Sequence, residues 1–232
     1  MSQFLTVYRN EKKYLVSQSI ALRIQDDLSK LLMPDPYSVD GYYQVRSLYF
    51  DSLNSIDFYQ KDAGVQKRKK VRLRVYSPYD EYSKLELKEK NGDYQHKSSL
   101  LLTRGEALAI QNGDYSVLLD KKSELACRLY TIMTLGVYSP VALIEYDRRA
   151  FVYDEFNTRI TFDTAIKSSE FDMDVFELDP AWNEVMSDAT VLEVKYDDKL
   201  FKPISEILKK YNIVNSSYSK YANGRRILEN YV

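Results

Sequence analysis

Between Arg68 and Val75 every second residue is a cation: Arg68, Lys70, Arg72 and Arg74 alternate with Val71, Leu73 and Val75. A period of two belongs to a β-strand, whose successive side chains point to opposite faces. The design recurs. Lys84, Glu86, Lys88 and Lys90 share a face opposite Leu85 and Leu87, and Arg9, Glu11 and Lys13 oppose Tyr8, Lys12 and Tyr14. Tyr146 alternates with Arg148, and Arg159, Thr161 and Asp163 fall on one side of their run. Glu193 and Lys195 interleave with Leu192, Val194 and Tyr196. One such strand is an ordinary solvated face or a protected edge. Six in one chain point to a sheet bent into a barrel, with the ionic faces lining a lumen and the apolar faces packed outward beneath helices. Lone buried ions cost several kcal/mol each, so the lumen needs ionic partners. Bases outnumber acids on these faces, which predicts a polyanion accompanied by a metal ion.

The alternation predicts strands over residues 6–16, 42–50, 69–76, 83–90, 141–153, 158–166 and 190–196. Helical punctuation lies between them. Ser17 caps a helix whose apolar positions Ile20, Ile24, Leu28 and Leu31 recur every three or four residues and which Pro34 ends. Thr103 and Glu106 form a capping box for a helix stopping near Gly113. Further helices are expected over 123–135, closed by Gly136, over 204–211 behind Pro203, and from Ser219 to about Asn230. This order does not repeat a βαβ unit and predicts an α+β fold: an antiparallel eight-stranded β-barrel tunnel with surrounding helices. With no repeat or linker, residues 1–232 read as one domain, and the acidic stretch Glu170–Asp179 reads as a long exposed loop.

Composition excludes several classes. One Cys and one His leave no disulfide framework and no Cys/His zinc site. No GxxxxGK[ST] or GxGxxG string provides a glycine-rich phosphate cradle. The start has no apolar run of a signal peptide and no stretch is long enough for a membrane span, so a cytoplasmic location is expected. The balance of 33 Lys and Arg against 34 Asp and Glu, a net charge of −1, argues against a nucleic-acid partner. The run KRKKVRLR alternates as a strand does and lacks a stacking motif. Cys127 reads as core on an amphipathic helix, His96 as a surface residue after a turn at Asn91-Gly92, and Tyr49 and Tyr146 as possible donors to phosphate.

The strings EKKYLV, SLYFD, KVRLRVY, LELKEK, EYDRRAF, RITFD, LEVKY and SKY occur in that order. In this the chain resembles the VTC domain, the polyphosphate polymerase branch of the triphosphate tunnel metalloenzymes. The resemblance implies an eight-stranded tunnel that takes ATP and inorganic polyphosphate or pyrophosphate, with Mn²⁺ or Mg²⁺. It implies that Lys13, Arg72, Arg74, Lys88, Arg148, Arg159 and Lys220 contact phosphates, that Glu193 holds the metal, and that Glu11 is the second acid of an ExExK string. Arg9 stands where the first acid would be, which resembles the polymerase branch, and Ser217 replaces a basic residue that some relatives carry before the SKY lysine. Association with a separate membrane protein is a further implication. A triphosphatase of the same fold, using water as acceptor, and a non-catalytic module that senses polyphosphate or inositol phosphates remain as alternatives.

Overall fold

The computed structural model describes residues 9–38, 41–92 and 94–229. Ten strands and six helices carry the fold: β1 Arg9–Ser17, α1 Gln18–Ser29, β2 Met33–Pro34, β3 Tyr43–Asp51, α2 Ile56–Asp62, β4 Lys67–Val75, β5 Tyr82–Asn91, β6 Tyr94–Thr103, α3 Arg104–Gln111, α4 Glu124–Leu135, β7 Ser139–Tyr153, β8 Thr158–Ser169, β9 Asn183–Met186, β10 Ala189–Asp197, α5 Lys202–Lys210 and α6 Lys220–Glu229. All seven strands expected from the alternation are present, within three residues of their bounds where these are described; positions 6–8 of the first expected strand lie outside the described residues. The helix starts follow local chemistry. Ser17 accepts from the Ile20 amide, Ser123 from the Ala126 amide, and Thr103 and Glu106 close a reciprocal capping box. Helix α1 stops at Ser29, short of Pro34, because Met33 and Pro34 pair with β7 as β2.

The fold is α+β with a ten-stranded sheet in the order β1-β10-β8-β7-β3-β4-β5-β6, β2 pairing with β7 and β9 with β8. The expected closed eight-stranded barrel is not what forms. The order is open, and among the described residues no ladder joins β6 to β1. The outer edge of β1 is taken instead by residues 215 and 216: Tyr14 bridges to Asn215, and the Ser216 amide donates to the Lys13 carbonyl at 2.7 Å. The extra strands β2, β6 and β9 lack the ionic alternation, so the pattern did not reveal them. For β6 the turn was visible, at Gly92 with φ +60°, but the strand beyond it, YQHKSSLLLT, was not.

The described residues form two compact units. One draws on 9–38, 41–44, 146–166 and 186–219, the other on 45–92, 94–145, 167–185 and 220–229. In the first unit, Tyr14, Val16, Ile160, Phe162, Leu192 and Val194 pack beneath Ile24 and Leu28 of α1 and Ile204 and Leu208 of α5. In the second, Leu48, Phe50, Val71, Leu73, Leu85 and Leu87 pack beneath Ala107 and Ile110 of α3 and Leu129 and Met133 of α4. These are the apolar strand faces, and each fully buried Leu or Phe among them contributes about 1.5–3 kcal/mol.

Two expectations fail locally. Cys127 is exposed, because the buried stripe of α4 runs through Ala126, Leu129 and Met133 and leaves residue 127 on the solvent side. The Glu170–Asp179 stretch is a loop, as expected, but it is not exposed throughout. Val175 and Phe176 are buried in the second core, and the Arg46 guanidinium donates to the carbonyls of Val175 and Glu177. Arg46 also pairs with buried Glu145 at 2.6 Å, and Gln111 holds Asp174 at 2.9 Å.

Candidate phosphate-binding faces

Register builds the cation face of the second unit row by row. Across β4, β5 and β6, Lys70 lies opposite Lys88 and Lys88 opposite Lys97. The next row is Arg72, Glu86 and Ser99, then Arg74, Lys84 and Leu101. Three lysines of neighbouring strands therefore stand in one row, an arrangement of like charges that a sheet does not favour by itself. Strands β4–β6 place eight cations on this face (Arg68, Lys70, Arg72, Arg74, Lys84, Lys88, Lys90 and Lys97) against the single carboxylate of Glu86.

Glu86 is 1% exposed and organises its neighbours. Arg72 binds one carboxylate oxygen at 2.6 Å, Lys97 binds the other at 3.1 Å, and Arg74 approaches within 3.8 Å. Burial alone would push the Glu86 carboxyl up, but the charges of Arg72, Arg74 and Lys97 outweigh it and hold the group well below the usual carboxylate range. The carboxylate therefore stays ionised and fixes the cations without neutralising them. Arg72 also donates to the Tyr49 hydroxyl at 3.1 Å, and Arg74 to the Ser47 hydroxyl at 3.4 Å.

Lys220 opens α6, whose first turn docks on this face. The Tyr221 ring stacks on Tyr49 with centroids 4.9 Å apart, and its hydroxyl donates to Asp51 at 2.6 Å. Asp51 also accepts the amides of Ser52, Asp57 and Phe58, tying the start of α2 to the end of β3. Lys70 stands 5.3 Å from the Tyr221 centroid. The role of Asp51 and Tyr221 escaped the sequence reading, although both lie inside the quoted SLYFD and SKY strings. Lys97 escaped it because β6 did.

The first unit presents a different face. Lys13 is cross-strand to Glu193, and Glu11 to Lys195. Lys13 binds Glu11 at 2.8 Å and lies 3.9 Å from Glu193, which also pairs with Lys195. Arg148 grips fully buried Asp163 through two hydrogen bonds of 2.6 and 2.7 Å and sits 5.2 Å from the Tyr146 ring centroid. Burial by itself would lower the Arg148 pKa, but the Asp163 carboxylate more than compensates and raises it. Arg159 pairs with Asp35 and donates to the Tyr43 hydroxyl at 2.9 Å. Here Lys13, Lys195, Arg148 and Arg159 are matched by Glu11, Glu193, Asp163 and Asp35. The sequence candidates thus divide: Arg72, Arg74 and Lys88 belong to the cation-rich face, Lys220 opens the helix whose Tyr221 packs against it, and Lys13, Arg148, Arg159, Glu11 and Glu193 belong to the balanced one. The Arg9 side chain, on which the polymerase-branch reading leans, lies outside the described residues.

Among the described residues no group of three His, Cys, Asp or Glu is arranged to hold a metal ion. Glu193, 6% exposed, and Glu11 nevertheless flank the same Lys13 ammonium and offer hard oxygens. Mg²⁺ and Mn²⁺ suit such sparse sites, since Mg²⁺ keeps several waters and relies on one or two carboxylates plus substrate phosphates. The donor set fits either ion. His96 is half-exposed, with Nδ1 3.9 Å from Glu89, and faces away from the lysine row.

The cation-rich face of the second unit has the chemistry to bind an anion such as phosphate. The chain belongs to the VTC domain family, whose model matches residues 8–229. Among solved structures it is similar to a candidate adenylate cyclase from Bacillus halodurans, with a TM-score of 0.53 and 16% identity over 90% of this chain and 92% of that one. The PH1012 protein from Pyrococcus horikoshii OT3 aligns with a TM-score of 0.49 and 11% identity over 91% and 96% of the two chains. At 16% identity the likeness to the first of these is one of fold. No curated protein sequence matches the chain. Family and fold together support an enzyme acting on phosphate or triphosphate. Among the described residues no helix is long and apolar enough to cross a membrane.

Proposed function

We propose that the chain is an ATP–polyphosphate phosphotransferase. The observation that carries this reading is the lysine row Lys70–Lys88–Lys97 beside the Arg72–Glu86–Arg74 cluster, a strip of cations that register holds together and whose spacing along the sheet suits the repeated charge of an oligophosphate. Arg72 and Arg74 offer planar forks that match phosphate oxygens in pairs, and the lysines supply compact point charges. Lys13, Arg148, Arg159 and Lys220 complete the phosphate-binding set in this reading, with Glu193 and Glu11 as the metal carboxylates. A bound Mn²⁺ or Mg²⁺ would supply charge neutralisation on the phosphate oxygens.

Phosphoryl transfer passes through a loose transition state and asks of the protein mainly in-line positioning and electrostatic stabilisation. A terminal oxygen of the acceptor chain attacks the γ-phosphorus, the bond to the β,γ-bridging oxygen breaks, and ADP leaves with that electron pair. The product is one phosphate longer, and no Ser or Cys nucleophile is consumed. Guanidinium groups held by Glu86 and Asp163 are pre-oriented, so little side-chain entropy is lost when phosphate arrives. The proposed setting is cytoplasmic, where a separate membrane protein could take the product away.

The test is incubation of the protein with ATP and Mn²⁺, with long phosphate chains followed on a gel and free phosphate release measured in parallel. Chains appearing with ADP support the polymerase. Free phosphate without chains assigns the protein to the triphosphatase reading, and tight tripolyphosphate binding with neither product assigns it to a sensor.

A further inference from the structure

Thr161 stands in the middle of the balanced face, and no protein group among the described residues hydrogen-bonds its buried hydroxyl. Strand β8 puts Arg159, Thr161 and Asp163 on one side, and Thr161 is 4% exposed. Register sets it directly opposite Glu193, itself opposite Lys13, so the row reads Lys13–Glu193–Thr161. Other covered hydroxyls among the described residues also lack a protein partner, but in other surroundings. Ser83 shares the apolar face of Leu85 and Leu87, and Thr190 that of Leu192 and Val194. Ser168 lies against Gly224 of α6, and the Ser38 amide closes a turn on the Asp35 carbonyl. Of these hydroxyls only that of Thr161 is set between the candidate phosphate and metal residues.

We infer that the Thr161 hydroxyl is a phosphate-binding donor of this face, giving a hydrogen bond to an oxygen of the bound triphosphate. The inference rests on the proposed function and adds a neutral contact to its charged ones. A hydroxyl offers one donor and two lone pairs, and burying it without a partner costs stability. Threonine suits a strand, but valine suits it as well and carries no such cost, so strand propensity does not account for the hydroxyl. Alternate positions of a strand lie roughly 7 Å apart. Arg159 holds that place on one side of Thr161, and on the other is Asp163, which grips Arg148. The Glu193 carboxylate acts on the same Arg148 guanidinium. Two guanidinium groups thus flank the hydroxyl along the sheet, and Glu193 faces it across the ladder, where opposed Cβ atoms stand about 4.5–5.5 Å apart. A phosphate drawn in by both cations has oxygens to offer the hydroxyl, which adds no charge to a face whose cations and acids are matched.

The test titrates tripolyphosphate calorimetrically, with and without Mn²⁺, into wild type, Thr161→Val and Thr161→Ser. Binding of Mn²⁺ alone is followed by electron paramagnetic resonance, and stability by the urea midpoint. Thr161→Val keeps nearly the same shape without the hydroxyl. It is expected to weaken metal-free tripolyphosphate binding about tenfold, the scale of one hydrogen bond to a charged group, while its urea midpoint stays at or above that of wild type. Thr161→Ser keeps the hydroxyl and should retain affinity, and binding of Mn²⁺ alone should be unchanged in both. Thr161→Ala, which also lacks the hydroxyl, serves if Thr161→Val does not fold. Unchanged affinity in Thr161→Val, an equal loss in Thr161→Ser, or a midpoint that falls together with the affinity would overturn the inference and leave Thr161 a scaffold residue. Loss of Mn²⁺ binding with metal-free tripolyphosphate affinity intact would overturn it in favour of a role toward the metal. A wild type that does not bind tripolyphosphate would overturn the proposed function and this contact together.

Discussion

Asp163 is fully buried and holds Arg148 through a two-pronged pair at 2.6 and 2.7 Å, so the orientation of this cation is fixed within the fold. Removing the acid alone strands a guanidinium in a poorly solvated site. Asp163→Asn is therefore expected to destabilise the fold by about 3–5 kcal/mol, read as a fall in the urea midpoint. Arg148→Lys keeps the charge but loses the fork, and should weaken tripolyphosphate binding while costing less stability. An Asp163→Asn protein as stable as wild type would show that the pair is not desolvated as described.

Glu86 sets a pH dependence with a definite sign. Its burial would raise the pKa, yet Arg72, Arg74 and Lys97 depress it below the unfolded value. A carboxyl of this kind contributes stability that is complete above its unfolded pKa, about 4.3. The contribution is lost as the pH falls through that value toward the lower folded one. Unfolding free energy measured between about pH 5 and pH 2 should thus drop more steeply in wild type than in Glu86→Gln. Parallel curves would mean that the cations do not engage the carboxylate.

Lys88→Met removes the middle charge of the Lys70–Lys88–Lys97 row. Its tripolyphosphate affinity should fall by roughly 10- to 100-fold, the scale of a lost charge-assisted contact. A variant that melts lower and binds equally well would place Lys88 in the scaffold instead.

Glu193→Gln is isosteric and leaves Lys13 and Lys195 beside a neutral amide. Turnover of ATP should be abolished while the far-ultraviolet circular dichroism spectrum is unchanged. Chelation of divalent ions in wild type should give the same loss, reversible on adding Mn²⁺. Persistent turnover in the variant would remove Glu193 from the metal assignment.

Much of this was legible along the chain. Alternation located the long strands because a charged side chain and an aliphatic one cannot exchange faces without burying an ion, which ties register to sequence wherever one face is packed. Caps at Ser17, Thr103 and Ser123 were equally readable, being local hydrogen bonds over three residues. Strand β6 was not, because YQHKSSLLLT carries no ionic period, and Lys97 was lost with it. Cys127 was misplaced because helical phase, one residue being 100° of rotation, is set by which stripe meets the sheet.

The residues of one strand thus specified which side chains share a face, and hence that Arg72 and Arg74 lie together and that Val71, Leu73 and Val75 are buried. Which charges from distant segments meet was settled by strand pairing. That pairing puts Lys97 beside Lys88, places Asp163 against Arg148, and turns nine ionic residues of β4–β6 into a face with one carboxylate and eight cations. Net charge, summed along the chain, is blind to this, because electrostatic energy depends on separations in space. Those separations are created only when backbone hydrogen bonds bring one strand to its neighbour.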